Sequence, residues 1–177
     1  RAIWVECAEM LDHHGWKWWK HQEIDVAQVQ LELVDIFHFG LSLRLMAGGS
    51  IEEISQTLAE ELTQGTSEQD FKIALEQLAS AAVTSKAFDA IAFADCMRLM
   101  NMDLDELFRQ YVGKNTLNLI GYAQNLHFWL AFYPNLQQLM FQLFRQYWIL
   151  NKGWCLNLSL SLALNEGLLG QHILRKG

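Results

Sequence analysis

An all-α fold, a bundle of helices joined by short connections, is what this sequence predicts. Three observations carry it. Helical patterning runs almost unbroken through the first two thirds of the chain, and Gly, Ser and Asp punctuate it where helices stop and start. Proline occurs once in 177 residues, at Pro134.

The first helix is expected over roughly Ala2 to His13, stopping before Gly15. A second runs from about Val26 to Met46 and stops at Gly48-Gly49, because glycine takes the left-handed backbone that ends a helix at little cost. Ser50 opens a third with Glu53 three residues on, the spacing of a capping box, and it runs to Gln64 before Gly65. Ser67 starts a fourth, to about Thr84. Phe88 to Met100 reads as a fifth, and Asp103 with Glu106 caps a sixth through Tyr111.

Beyond this point the character changes. Residues 115–144 contain no Asp, Glu, Lys or Arg, and the rest of the chain adds only Arg145, Lys152, Glu166, Arg175 and Lys176. An uncharged run of this length raises the question of a membrane span. Asn118, Gln124, Asn125, Asn135 and Gln138 interrupt it, and amides are costly in hydrocarbon, so no membrane partner is expected. The sequence Leu107-Phe108-Arg109-Gln110-Tyr111 recurs as Leu143-Phe144-Arg145-Gln146-Tyr147. From Leu156 to Asn165 apolar and small or polar residues alternate, a strand period written in helix-favouring leucine and alanine. The chain therefore divides into a core, residues 1–118, and an apolar tail packing on it, residues 119–177.

The formal net charge is −7, which excludes a sequence-independent nucleic-acid binder. Cys7, Cys96 and Cys155 are widely spaced and form no CxxC, so neither zinc nor a disulfide framework is indicated; a reducing cytoplasm fits. The chain opens at Arg1 inside a helical pattern, without a start Met, signal peptide or transit peptide, and a preceding segment is expected upstream.

Chemistry enters with two acidic pairs, Glu6-Cys7-Ala8-Glu9 and Glu32-Leu33-Val34-Asp35, separated by 22 residues. Spacing of i, i+3 puts both carboxylates of a pair on one helix face, about 60° apart. Such pairs often only decorate a solvated face. Here Ile3, Trp4, Met10 and Leu11 flank the first, and Leu31, Leu33, Val34, Ile36 and Phe37 flank the second, which leaves little room for decoration. If the two helices lie side by side, four repelling carboxylates meet and a cation must hold them. Oxygen-only ligands favour Mg²⁺, with Mn²⁺ able to substitute, and four acids suit two ions. Two such ions invite a phosphate ester or anhydride. The architecture expected is an all-α helical bundle with a four-helix metal-binding core.

Residues 1–20, with the first acidic pair followed by Trp16-Lys17-Trp18-Trp19-Lys20, resemble the first motif of the all-α, dimeric-type dUTP pyrophosphatases. Residues 30–42 are similar to that family's second motif, ExxD followed by His38-Phe39. Lys114-Asn115-Thr116-Leu117-Asn118 is similar to its Lys-Asn-x-Leu-Asn element. The resemblance implies an α-helical nucleoside triphosphate pyrophosphatase, of the wider class of all-α NTP pyrophosphohydrolases, acting on a deoxyuridine nucleotide and forming a homodimer. Glu6, Glu9, Glu32 and Asp35 are then the catalytic metal ligands. Trp18 and Phe39 are the base contacts, His38 a site residue beside the acids, and Lys114, Asn115 and Asn118 phosphate and uracil ligands. His13 and His14 are expected to face solvent at a helix end.

The resemblance stops where the family continues with a basic, Gly-Tyr-Lys-rich segment and a Tyr-x-Lys-x-Trp run that grips the phosphates. This chain reads Leu119-Ile120-Gly121-Tyr122-Ala123, and Lys152-Gly153-Trp154 is only a shadow of the later run. Mg²⁺-dependent conversion of dUTP to dUMP and pyrophosphate, weakened by the missing cations, is the leading expectation. The same chemistry on another nucleoside triphosphate, or a catalytically weak dimer that binds Mg²⁺ and nucleotide, are the alternatives.

Overall fold

A computed structural model describes residues 1–121 and 134–146. The described residues form helices and no strands: α1 (Ala2–His14), α2 (Val26–Ala47), α3 (Ile51–Gln64), α4 (Phe71–Thr84), α5 (Ala90–Leu99), α6 (Leu104–Gly121) and α7 (134–146). The alternating segment 156–165 lies outside the described residues.

Side chains that accept backbone N–H groups set most helix starts. Asp25 accepts from Gln28 at 3.1 Å, Asp103 from Glu106 at 2.8 Å, and Ser50 with Glu53 forms the full reciprocal box. Helix α4 begins at Phe71 rather than Ser67, because Asp70 is the residue with extended backbone and caps Lys72 N–H at 2.8 Å. The segment before Asp70 is held elsewhere: buried Asp95 of α5 accepts from Thr66 N–H and from the Gln69 side chain. Asp89 likewise caps α5, so Phe88 precedes the helix instead of opening it. Helix α6 runs past Tyr111 to Gly121, since Gly113 lies on an open face and merely weakens the helix without ending it.

Helix α2 is the hub. It packs on α1, α3, α5 and α6, while α4 closes the bundle against α1 and α5. Phe37 of α2 stacks on Phe93 of α5 at 5.7 Å and meets Tyr111 of α6 edge-on at 5.5 Å. Helix α7 adds buried Leu136, Leu139 and Leu143, and Phe144 lies 4.3 Å from Phe108 of α6. Among the described residues no helix is long and apolar enough to cross a membrane.

Gly40 lets the Phe88 ring sit directly on the α2 backbone: a Cβ there would stand 2.6 Å from ring carbons of a side chain that is itself buried. Gly40→Ala is therefore expected to overpack the core and destabilise by about 1–3 kcal/mol, despite the better helix propensity of alanine. Urea denaturation would check this, and a stabilised variant would contradict it.

Candidate active site

Helices α1 and α2 run antiparallel. The turn between them brings Asp25 N–H onto the His13 carbonyl at 3.0 Å, and one α-helical turn after another then pairs the two acidic motifs. Glu6, Glu9 and Glu32 each offer a carboxylate oxygen, and these atoms lie within 4.8 Å of one another. Glu32 is buried, Glu6 half-buried and Glu9 exposed, so the cluster has a closed floor and an open side.

The electrostatic consequence is large. Burial, then the charges of Asp35, Glu9 and Glu32, push the Glu6 carboxyl up to about 7. Burial and Asp35 raise Glu32 too, against the opposing pull of Lys114 and His13. His13 Nε2 stands 3.6 Å from Glu32 Oε1.

Asp35, the fourth acid, is close enough to act on Glu6 and Glu32 yet is turned to another partner. Its Oδ2 forms an ion pair with Lys114 Nζ of α6. One turn further along α2, His38 Nδ1 lies 3.2 Å from the Tyr111 hydroxyl, one turn before Lys114 on α6. The two antiparallel helices are thus docked by matched i, i+3 pairs, Asp35 with Lys114 and His38 with Tyr111. Burial holds the His38 imidazole below its usual range.

A carboxylate cluster on α1 and α2 is thus backed by Lys114 of α6 through its pair with Asp35. The sequence profile of the dUTPase family matches residues 1–126. The chain belongs to the all-α, dimeric-type dUTPase family. No curated protein and no solved structure matches it. It is a nucleoside triphosphate pyrophosphatase of the dUTP diphosphatase type.

The other expected dUTPase residues are distributed as follows. Phe39 packs partly against the core and meets His38 edge-on at 5.6 Å. Trp18 lies in the α1–α2 connection, 90% exposed, with the Trp19 ring 5.6 Å away, and among the described residues no ring contact joins it to Phe39. Asn115 and Asn118 continue α6 beyond Lys114, but their side chains, like Tyr122, Ala123 and the Lys152-Gly153-Trp154 run, lie outside the described residues.

His14 does not face solvent as its position at a helix end suggested. Its ring stacks on Phe71 at 4.2 Å and 18°, and burial lowers its pKa. A groove of about 400 Å³ lined by Trp4, Val5, Ala8, Glu9, Asp12 and His13 borders the cluster on the open side of α1. A larger cavity, about 510 Å³, lies away from the acids beside Arg98. That guanidinium donates to the Leu62 and Thr63 carbonyls and so caps α3.

Tyr111 is the residue that sequence reasoning passed over. Its signal was present, since it precedes Lys114 by three residues just as Asp35 precedes His38 by three. Tyr111→Phe keeps the buried ring and removes the hydroxyl from His38. It is expected to lower kcat/KM for dUTP several-fold with little change in Mg²⁺ affinity, because the imidazole loses its orientation and the carboxylates do not. Steady-state kinetics with a metal titration would check this, and equal loss of metal affinity would contradict it.

Proposed function

We propose that this chain hydrolyses dUTP to dUMP and pyrophosphate using Mg²⁺ held by Glu6, Glu9 and Glu32, with Asp35 completing the ligand set. The observation that carries the reading is the convergence of three carboxylates on one another. An oxygen-only donor set in which Glu6 is pushed up to about 7 by burial and neighbouring acids fits a hard divalent cation, which relieves that repulsion. Mn²⁺ suits the same donors. When bound there, Mg²⁺ supplies charge neutralisation of the triphosphate oxygens and Lewis acidity at the anhydride.

The chain's own residues do the rest. Lys114 offers its ammonium to the phosphates. Trp18 and Phe39 present aromatic faces to the uracil, while His38, Asn115 and Asn118 bring polar atoms to the base and sugar. A carboxylate of the cluster takes the proton of the attacking water. Turnover is weak, because no lysine follows Gly121-Tyr122 where the family has its basic segment, Lys152-Gly153-Trp154 is only a shadow of the later run, and Lys114 is engaged by Asp35 until substrate arrives. The protein acts as a homodimer. Trp16, Trp18 and Trp19 are all exposed, more aromatic surface than a monomer of this size ordinarily presents to water. Buried free thiols at Cys7 and Cys96 suit a reducing cytoplasm.

The test is kcat/KM on dUTP, dCTP and dTTP, each with Mg²⁺ and after EDTA, with sedimentation at micromolar protein. A preference for dUTP that EDTA abolishes is expected, from a dimer. Activity that survives EDTA would remove the metal assignment, and equal rates on all three substrates would remove uracil selection.

A further inference from the structure

Lys114 is a poor candidate for a stray surface lysine. Its side chain and that of Asp35 are each about two thirds buried, at 31% and 28% exposure, and the pair bridges α2 and α6 across 79 residues of sequence. The buried Tyr111, one turn earlier on the same helix and bonded to His38, sets the register of α6 on α2. Ion pairs open to solvent contribute little to stability and often nothing. This one matters through what it occupies. Asp35 follows Glu32 by one turn, so its carboxylate borders the cluster of Glu6, Glu9 and Glu32.

The charges then divide unequally. Three carboxylates face one another, and the fourth is matched by an ammonium. One divalent ion among Glu6, Glu9 and Glu32 leaves a single excess negative charge. A second ion, placed between Asp35 and the cluster, would stand beside the Lys114 ammonium and meet like-charge repulsion unless that side chain moves.

We propose that Lys114 gates a second divalent-ion position: while its ammonium holds Asp35, the three glutamates take one ion, and the second enters when a triphosphate draws Lys114 away. The gate rests on the metal reading above. A triphosphate carries about four negative charges and offers Lys114 a stronger partner than one carboxylate. Releasing Asp35 and binding phosphate are then one event. By linkage, nucleotide strengthens second-ion binding and the second ion strengthens nucleotide binding by the same factor, in the range of about 5–150-fold. The protein without substrate thereby avoids a preassembled two-ion centre that would act on any phosphate reaching it.

The test uses Mn²⁺ alone with the full chain near neutral pH, counting bound ions from the loss of the free-ion electron paramagnetic resonance signal. One ion per chain is expected for the unsubstituted protein and for Lys114→Arg, which keeps the charge. Two are expected for Lys114→Gln and for Lys114→Met. Two ions in the unsubstituted protein, or one in both neutral variants, would overturn the gate while leaving the metal site standing. No bound ion in any of the four proteins would overturn the metal reading itself.

Discussion

Glu32→Gln is expected to lower kcat/KM for dUTP by at least about 10²–10³-fold, the loss typical of one preorganised charge at a reacting centre. Glu32 is the floor of the cluster. It is 9% exposed, it is the α2 member of the three converging carboxylates, and both Glu6 and His13 face it. Glutamine keeps the volume and removes the charge, so the substitution separates ligation from packing. The stability of the metal-free protein should not fall with activity. Burial and neighbouring acids already disfavour ionised Glu32, and a neutral side chain in its place relieves them. Loss of turnover and Mg²⁺ affinity at an unchanged or higher melting temperature identifies a ligand. Loss of all three together would identify a structural residue and count against the site.

How much of this was legible beforehand follows from what each signal constrains. The i, i+3 spacing of Glu6 with Glu9 fixes a helix face, and the antiparallel return through Asp25 brings that face to Glu32. Both are local enough to read from residues. The partner of Asp35 is not. Spacing says which face Asp35 occupies, while the choice of Lys114 depends on how α6 docks on α2 through Phe37, His38 and Tyr111. The four acids consequently divide into three that converge, from two helices, and one that is paired.

Helix limits show the same division. Gly15 and Gly48 end α1 and α2 with φ of 92° and 89°, as glycines at those places should. The start of α4 escaped a local reading because Asp95, more than twenty residues later, claims Thr66 and Gln69. The repeated Leu-Phe-Arg-Gln-Tyr string is, at five residues, too short to prove a repeat from the sequence. In the fold its equivalent phenylalanines, Phe108 and Phe144, meet at 4.3 Å, one face used twice to join α6 and α7. Exposure of Trp18 is equally invisible to a motif, which identifies the residue type and not what surrounds it.

The pH dependence of stability offers the sharpest separation of the Glu6 carboxyl from its neighbours. In the folded protein without metal, burial and the neighbouring acids push it up to about 7, from the 4.5 ordinary for a glutamate. Between those values the native state holds a proton that the unfolded chain has released. Stability from this group is fully present below about 4.5, falls as pH rises through the window, and is lost above about 7. Glu6→Gln cannot lose it. The variant and the unsubstituted protein should therefore melt alike near pH 4, with the variant gaining as pH rises. After allowance for solvent screening at a half-buried site, the advantage at pH 8 is about 1–2 kcal/mol, or about 2–8 °C in Tm. Millimolar Mg²⁺ should reverse the order, because the ion stabilises the native cluster only where all its carboxylates are present. Melting curves of both proteins from pH 4 to pH 8, with and without Mg²⁺, give the answer. A constant difference across that range would mean that neither burial nor the charges of Asp35, Glu9 and Glu32 raise the Glu6 carboxyl. A pH-dependent difference that Mg²⁺ leaves untouched would mean that the carboxylates converge without serving as a metal site.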